Sequence, residues 1–196
     1  MAVVNEYLIN QYRQVHKSKA YGDTSVRFVH MLRFIIENLQ AKTVLDYGCG
    51  QSRLADRIAE AAGVKCFRYD PSIDEISRMP EGRYDLVICT DVMEHVKEDD
   101  CVDVIRHIKS LSDNAFFHIA TRPAAQILPD GQNAHCTVKP DKWWMEKISA
   151  EFSGSEMIFT EENMGCGIVT FVPAAKYIYQ DIYYGIRFRQ ANNVQS

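Results

Sequence analysis

The alternation of apolar and polar positions predicts strands and helices that follow one another along most of the chain. Short apolar runs favour strands at residues 43–46, 66–69, 84–89 and 115–120. Apolar residues recur at helical spacing at residues 24–39, 54–61, 100–111 and 140–152. Because strands that alternate with helices usually pair in parallel, with helices on both faces, this order predicts an α/β fold.

The pattern changes towards the C-terminal end. Residues 157–161 and 168–172 are strand-like, and the glycine-bearing stretch between them favours an antiparallel β-hairpin. A tyrosine-rich stretch at 174–190 predicts an outer helix. We therefore expect a single domain, residues 1–196, with a mostly parallel sheet that ends in a hairpin. Its expected parts are an N-terminal helical cap at 1–40, a core at 43–172 and the C-terminal helix.

Composition gives little bias towards any partner. The chain has 196 residues, 46% of them hydrophobic, which is enough for one sizeable core, and its net charge of −4 lacks the basic excess typical of nucleic-acid binding. The six cysteines form no Cys-x-x-Cys pair, so we expect reduced thiols and no metal site. Neither a secretory signal nor an 18-residue apolar run is present, which predicts a cytoplasmic protein without a membrane partner. The oligomeric state stays open.

A glycine-rich turn carries the first chemical signal. Gly48-Cys49-Gly50 lies where a buried strand ends and a helix begins, so that a ligand can approach bare main chain and unpaired helix amides. Asp46, at the strand end, argues against a pyrophosphate there and favours a cationic or amino-bearing ligand. Arg53 occupies the position of the third glycine of a dinucleotide fingerprint, which disfavours a nicotinamide dehydrogenase.

The next two strands also end in polar residues. Asp70 lies about 20 residues past the glycine turn, where a carboxylate can accept the hydroxyls of a ribose, although an aspartate before Pro71 also favours a simple turn. The following strand opens into residues 91–95. In open α/β sheets, ligands bind at the carboxyl ends of strands. Glu94 and His95 could equally cap the next helix and fill a polar pocket.

Together these motifs resemble the class I S-adenosylmethionine-dependent methyltransferases, in particular their small UbiG-like members, over residues 43–172. The resemblance implies that the glycine loop passes under the methionine moiety of the cofactor and that Asp70 holds the ribose. It also places Asp91 and Val92 beside the sulfonium, with Met93 close by. The implied cofactor-binding residues are Asp46, Gly48, Cys49, Gly50, Asp70, Pro71, Asp91, Val92 and Met93.

One departure from the family concerns the region after the second strand. Only residues 71–84 separate Asp70 from Asp85, whereas relatives usually insert a helix and another strand there. The residue that orients the adenine is therefore not identifiable. Either that strand is lost, or the adenine is held by the 72–83 connection, where Ile73 or Ile76 could pack on the ring.

The acceptor side is predicted from the polar loop at 121–135. Long loops at the carboxyl edge of a sheet often carry function. His135 is the candidate base and Asp130 is a second candidate catalytic residue, although a loop histidine is often an ordinary hydrogen-bonding residue. Arg122, Asn133 and Trp143 are the candidate substrate contacts. Near the N-terminus, Tyr12, His16 and Tyr21 are candidates for a lid over the cofactor.

These features predict methyl transfer from S-adenosylmethionine to a small-molecule oxygen or nitrogen acceptor. Methylation of a nucleic acid or nucleotide is an alternative, but 91–94 reads Asp-Val-Met-Glu rather than the Asp/Asn-Pro-Pro-aromatic segment of enzymes that methylate exocyclic amines. A non-catalytic scaffold that binds the same cofactor is the other alternative.

Overall fold

A computed structural model describes residues 5–18, 23–162, 164–173 and 176–193 of the chain. A 3₁₀ helix (Asp23–Phe28) leads directly into the second α-helix, so that this α-helix begins later than the predicted residue 24. The helices are α1 (Glu6–Ser18), α2 (Val29–Leu39), α3 (Leu54–Ala62), α4 (Cys101–Leu111), α5 (Asp141–Glu151) and α6 (Lys176–Asn193). The strands are β1 (Thr43–Tyr47), β2 (Lys65–Tyr69), β3 (Leu86–Thr90), β4 (Ala115–Ala120), β5 (Glu156–Glu161) and β6 (Gly165–Val169).

The six strands form one sheet in the order β2-β1-β3-β4-β6-β5. β1 to β4 pair in parallel, whereas β6 pairs antiparallel with both β4 and β5. This arrangement confirms the predicted Rossmann-like methyltransferase fold with its terminal hairpin. The chain leaves β1 towards β2 on one side and returns to β3 on the other. The carboxyl ends of β1 and β3 therefore flank the crevice where such sheets bind ligands.

Two hydrophobic clusters cover the two faces of the sheet. α4 and α5 pack on one face through residues such as Ile105 and Trp144. α2, α3 and α6 pack on the other through residues such as Leu32 and Ile58. Because successive residues of a strand point to opposite faces, adjacent positions of each buried strand contribute to different clusters. This two-sided burial explains why the strands read as continuous apolar runs.

The hairpin differs from its predicted register. β6 begins at Gly165, so the glycines that indicated a turn lie inside the strand, and the predicted strand at 168–172 was placed too late. A Cβ on Gly167 would overlap the Phe159 ring, which stacks on Tyr183 with ring centroids 3.7 Å apart. The glycine therefore provides space for an aromatic ring. A glycine inside a strand often marks such a close approach.

The connection between β2 and β3 is short, as its spacing predicted. Residues 70–85 contain a single 3₁₀ turn, Asp74–Ile76, and no strand, which leaves β2 at the edge of the sheet. Of the two possibilities raised by the sequence, the loss of the strand is confirmed.

The structure does not test the predicted division of the chain or the predicted role of Tyr21. The proposed division into a cap, a core and a terminal helix remains a prediction, and Tyr21 lies outside the described residues. None of the described helices combines the length and apolarity that a bilayer span requires.

Candidate active site

A cavity of about 580 Å³ opens at the carboxyl edge of β1 and β3. Its walls come from the β1–α3 loop, from the ends of β2, β3 and β4, and from the 121–135 loop. α1 contributes Tyr12 and His16 to the lining. The volume falls within the usual range for small-molecule sites. The predicted site residues that line it are Gly48, Cys49, Gly50, Asp70, Pro71, Asp91, Val92, Arg122 and His135.

The glycine turn presents bare main chain to this cavity. Gly48 and Gly50 have φ angles of +72° and +51°, in the left-handed region that side chains disfavour. A Cβ on Gly48 would lie 2.7 Å from the two Cγ atoms of Val92. The amides of Gly48 and Cys49 both donate to the carbonyl of Tyr69, at 2.7 and 3.1 Å. The turn is thereby fixed to the end of β2.

Asp70 joins the turn to the next strand end. Its Oδ2 accepts the amide of Gly50 at 2.9 Å, and its Oδ1 accepts the amide and hydroxyl of Ser72 at 2.8 and 2.5 Å. A carboxylate has about four acceptor positions, so about one remains for a ligand. A second becomes available if the Ser72 hydroxyl turns to Nδ1 of His16, 2.9 Å away.

Asp46 lies behind the turn and does not line the cavity. The residue is 2% exposed, and its Oδ2 has no hydrogen-bond partner among the described residues. Burial raises the pKa of this carboxyl to about 7, although the positive charge of Arg68 opposes the increase. In this structure Asp46 is therefore not placed to contact a ligand in the cavity directly.

Asp91 is held in an uncommon conformation at the end of β3. Its φ is +56°, and its Oδ1 lies 2.6 Å from Nδ1 of His118 on β4. The Thr24 hydroxyl donates to Oδ2 at 3.1 Å. Burial acts to raise the pKa of Asp91, but the charges of His118 and Arg27 and these hydrogen bonds hold it well below its usual range. The strand end therefore keeps a negative charge at the cavity wall.

His118 and Arg27 were missed by sequence reasoning. His118 lies within the apolar run 115–120, where it reads as an occasional polar residue of a strand. The available signal was its position near the carboxyl end of a strand next to β3, opposite Thr90. Arg27 lines the cavity from the 3₁₀ helix, and its buried Nε has no hydrogen-bond partner among the described residues. A helical apolar pattern gives no sign of such a cation.

A second polar group consists of Glu94, His95 and His135, which all line the cavity. His135 Nε2 lies 3.9 Å from Glu94 Oε1, and the two imidazole ring centroids are 4.7 Å apart. Burial raises the pKa of Glu94 well above its usual range, reinforced by the charge of Asp91. Burial and the neighbouring His135 lower the pKa of His95 to about 4, and burial lowers that of His135. Both imidazoles are therefore neutral at pH 7.

Two predicted loop residues serve the loop itself. Asp130 is exposed, accepts the Tyr7 hydroxyl at 2.9 Å and accepts the Gln132 amide at 2.9 Å. The Asn133 side chain bonds both the amide and the carbonyl of Ala124, at 2.9 and 2.8 Å. Neither residue lines the cavity. Their roles in catalysis and substrate binding have no support from this placement.

Met93 and Trp143 also lie outside the cavity lining. Met93 is fully buried in the core beneath α4. Of the adjacent tryptophans, Trp144 is fully buried, while Trp143 is partly buried with its ring perpendicular to that of its neighbour. Lys139 and Lys147 lie over the Trp143 ring at 5.4 and 5.3 Å. This tryptophan packs against the edge of the hydrophobic cluster around α4 and α5 and does not line the cavity.

A family model described as a methyltransferase domain matches residues 23–156. Among solved structures, an O-methyltransferase family protein from Burkholderia thailandensis gives a TM-score of 0.59 at 12% identity, over 89% of this chain and 65% of that one. The DhpI–SAH complex gives 0.52 at 13% identity, over 85% of this chain and 97% of that one. The mitomycin 7-O-methyltransferase MmcR gives 0.52 at 11% identity, over 74% of this chain and 53% of that one.

The chain thus spans less than two thirds of the first of these structures and about half of MmcR. At such identities the likeness concerns the fold. A comparison with curated proteins gives no match.

Proposed function

The chain belongs to the methyltransferase-domain family, and from that premise we propose that it transfers a methyl group from S-adenosylmethionine to a small-molecule oxygen or nitrogen acceptor in the described cavity. The observation that carries the proposal is the unit formed by the glycine turn and Asp70. The Gly50 amide bonds Asp70 directly, so the bare main chain and the carboxylate face the same cavity.

The residues at this unit fit the parts of the cofactor. The absence of a side chain lets Gly48 pack directly on Val92, and the peptide backbone of the turn lines the cavity, where the amino-acid tail of a ligand can lie against it. Asp70 retains about one acceptor position for a ribose hydroxyl. Beyond it, Pro71 and Ser72 line the cavity and offer a surface to adenine, whereas Ile73 and Ile76 do not line it.

S-adenosylmethionine supplies a sulfonium-bound methyl group that a nucleophile displaces in line. Positioning contributes much of the rate of such a reaction. Val92 offers an apolar surface at the turn, and Asp91 is fixed by His118 beside it. Arg27 and Arg122 also line the cavity, and their positive charges can orient an anionic or polar acceptor. The neutral His135 imidazole can use its Nε2 lone pair as a general base or as a metal ligand.

A small acceptor is favoured by the size of the cavity, about 580 Å³. α1 lines this cavity, and Tyr12 bonds the 121–135 loop through the carbonyl of Ala134, at 2.7 Å. A nucleic-acid acceptor is disfavoured because the net charge of −4 gives no electrostatic attraction to phosphates.

Calorimetric titration with S-adenosylmethionine and S-adenosylhomocysteine tests the cofactor assignment, with NAD as the unrelated nucleotide. The variant is Gly48→Ala and its matched control is Gly63→Ala. Both glycines have positive φ, at +72° and +65°, but no atom lies within 4 Å of a Cβ on Gly63. The backbone strain is therefore similar, and only Gly48 adds the contact with Val92 at the cavity.

We expect the wild type and Gly63→Ala to bind both sulfur nucleotides but not NAD. Gly48→Ala should bind them at least tenfold more weakly, because the added Cβ displaces the turn from Val92 at the cavity. A tenfold change corresponds to about 1.4 kcal/mol of binding free energy. Equal affinity in the two variants would refute the role of the turn. Binding without formation of S-adenosylhomocysteine across oxygen and nitrogen acceptors would favour the scaffold alternative.

A further inference from the structure

Three potential metal ligands meet at the acceptor side of the cavity. Glu94, His95 and His135 each offer one ligand atom, and these atoms lie within 4.8 Å of one another. His135 Nε2 and Glu94 Oε1 are 3.9 Å apart. Modest side-chain adjustment brings such atoms to the spacing of ligands around one cation, whose bonds to nitrogen and oxygen are about 2.0–2.2 Å long.

The hydrogen bonds of the two histidines prepare them for ligation. Nδ1 of His135 lies 2.6 Å from the carbonyl of Arg122, and Nδ1 of His95 lies 2.9 Å from the carbonyl of Ala134. A carbonyl only accepts, so each contact places a proton on Nδ1 and leaves the lone pair on Nε2. Metal-binding histidines characteristically donate their other ring N–H to a carbonyl or carboxylate.

Tyr12 reinforces this arrangement from α1. Its hydroxyl donates to the carbonyl of Ala134 at 2.7 Å, and its oxygen lies 2.6 Å from Nδ1 of His95. The same Nδ1 proton therefore satisfies both the Ala134 carbonyl and the Tyr12 oxygen.

Glu94 supplies an independent observation, a buried carboxyl oxygen without a hydrogen-bond partner among the described residues. Its side chain is 0% exposed, and Oε1 accepts the amide of Ala120 at 3.1 Å. Its Oε2 is buried and has no hydrogen-bond partner among the described residues. An unsatisfied buried carboxylate oxygen is costly unless a hydrogen bond or a cation compensates it. The cavity that Glu94 lines is the direction from which a cation can reach it.

We propose that Glu94, His95 and His135 bind a divalent transition-metal cation at the wall of the cavity. Two imidazoles and one carboxylate suit zinc, manganese, iron or cobalt better than magnesium or calcium. The sequence predicted no metal site because cysteine spacing was its criterion. These ligands are instead two adjacent residues and a third one that is distant along the chain.

The role of the cation in activating a methyl acceptor rests on the proposed function. Three protein ligands leave coordination positions open towards the cavity, where an oxygen of the acceptor can bind. A bound cation would lower the pKa of a coordinated hydroxyl, so that its proton can pass to solvent without a separate general base. The resulting oxygen would form a bond to the methyl carbon while the bond from that carbon to the sulfonium breaks, and S-adenosylhomocysteine would leave with the bonding electron pair. The favoured acceptor is then a compound with a hydroxyl next to a second oxygen, such as a vicinal diol or a hydroxy acid, because it chelates the cation.

Metal binding is measured on the full chain after treatment with a chelator. Calorimetric titration with Zn²⁺ or Mn²⁺ gives the affinity, and the visible d–d spectrum of bound Co²⁺ reports its ligands. The variants are Glu94→Gln and His135→Gln, with His30→Gln as the control, because His30 is an exposed histidine of α2 outside the group. S-adenosylhomocysteine affinity is measured in the same samples as a test of both folding and the proposed function.

We expect one equivalent of metal in the wild type and in His30→Gln, and binding at least about tenfold weaker in the other two variants. Pulsed electron paramagnetic resonance of the Mn²⁺-loaded wild type should show coupling to imidazole nitrogens, which requires no variant to fold. Absence of metal binding in the wild type, absence of nitrogen coupling, or equal binding in all variants would overturn the site. If the wild type binds metal but does not bind S-adenosylhomocysteine, the cofactor assignment is refuted and the metal site is not.

Discussion

The substitution Asp46→Asn tests whether the buried carboxyl at the end of β1 is protonated in the folded protein, because asparagine keeps its shape but does not titrate. The side chain is buried, and its pKa of about 7 in the folded protein compares with about 3.9 for an ordinary aspartate. The difference of about three pH units corresponds to about 4 kcal/mol, at about 1.36 kcal/mol for each unit. Burial raises this pKa, the charge of Asp70 adds to it and the charge of Arg68 opposes it.

The sign of the effect follows from proton linkage. Between about pH 4 and pH 7 the folded protein holds a proton on Asp46 that the unfolded chain has released. The free energy of unfolding therefore falls as the pH rises through this window, and it becomes independent of this group above about pH 7. Between pH 5 and pH 8 the expected loss is roughly 3 kcal/mol. Asparagine resembles the protonated carboxyl and does not titrate, so the variant lacks this loss.

The measurement is urea unfolding of both proteins at pH 5, 6, 7 and 8. From pH 5 to pH 8 the free energy of unfolding of Asp46→Asn should rise by roughly 3 kcal/mol relative to that of the wild type, whatever the difference between the two proteins at pH 5. Other titrating groups, Glu94 among them, are present in both proteins and cancel in the difference. A difference that stays constant with pH would refute the assignment of a neutral buried carboxyl at this position.

Two further substitutions test the site and the hairpin. Asp70→Asn should weaken S-adenosylhomocysteine binding by roughly 10 to 100-fold, because a buried acceptor becomes a donor at a cost of about 1–3 kcal/mol. The calorimetric control is Asp74→Asn, at an exposed position. Equal affinities of the two variants would remove the ribose assignment. Gly167→Ala should lower the free energy of unfolding by about 1–3 kcal/mol, because its Cβ overlaps the Phe159 ring. The control in the same urea assay is Gly185→Ala, at a position of α6 where no atom lies within 4 Å of an added Cβ. This substitution should raise the free energy of unfolding by up to about 1 kcal/mol. A similar change in the two variants would contradict the packing argument.

The order of the elements was readable from the sequence because it depends on local spacing. Buried parallel strands are continuous apolar runs and their helices carry one apolar stripe, so β1 to β4 and the helices between them were predicted within a few residues. The short connection after β2 was readable from the spacing of Asp70 and Asp85, but the loss of the strand was one of two possibilities until the structure showed it. The register of β6 was not predictable, because the need for Gly167 arises from Phe159, on another strand.

The same division applies to the site. The glycine turn, Asp70 and the strand end at Asp91 could be found from local sequence, because bare backbone and strand-end carboxylates leave a local signature. Only the tertiary structure brought His135 within 3.9 Å of Glu94 and paired Asp91 with His118. It also turned Asp130 and Trp143 away from the cavity. Those contacts depend on how the 121–135 loop and β4 fold back on β3, and a long-range approach of this kind leaves no periodic pattern along the chain.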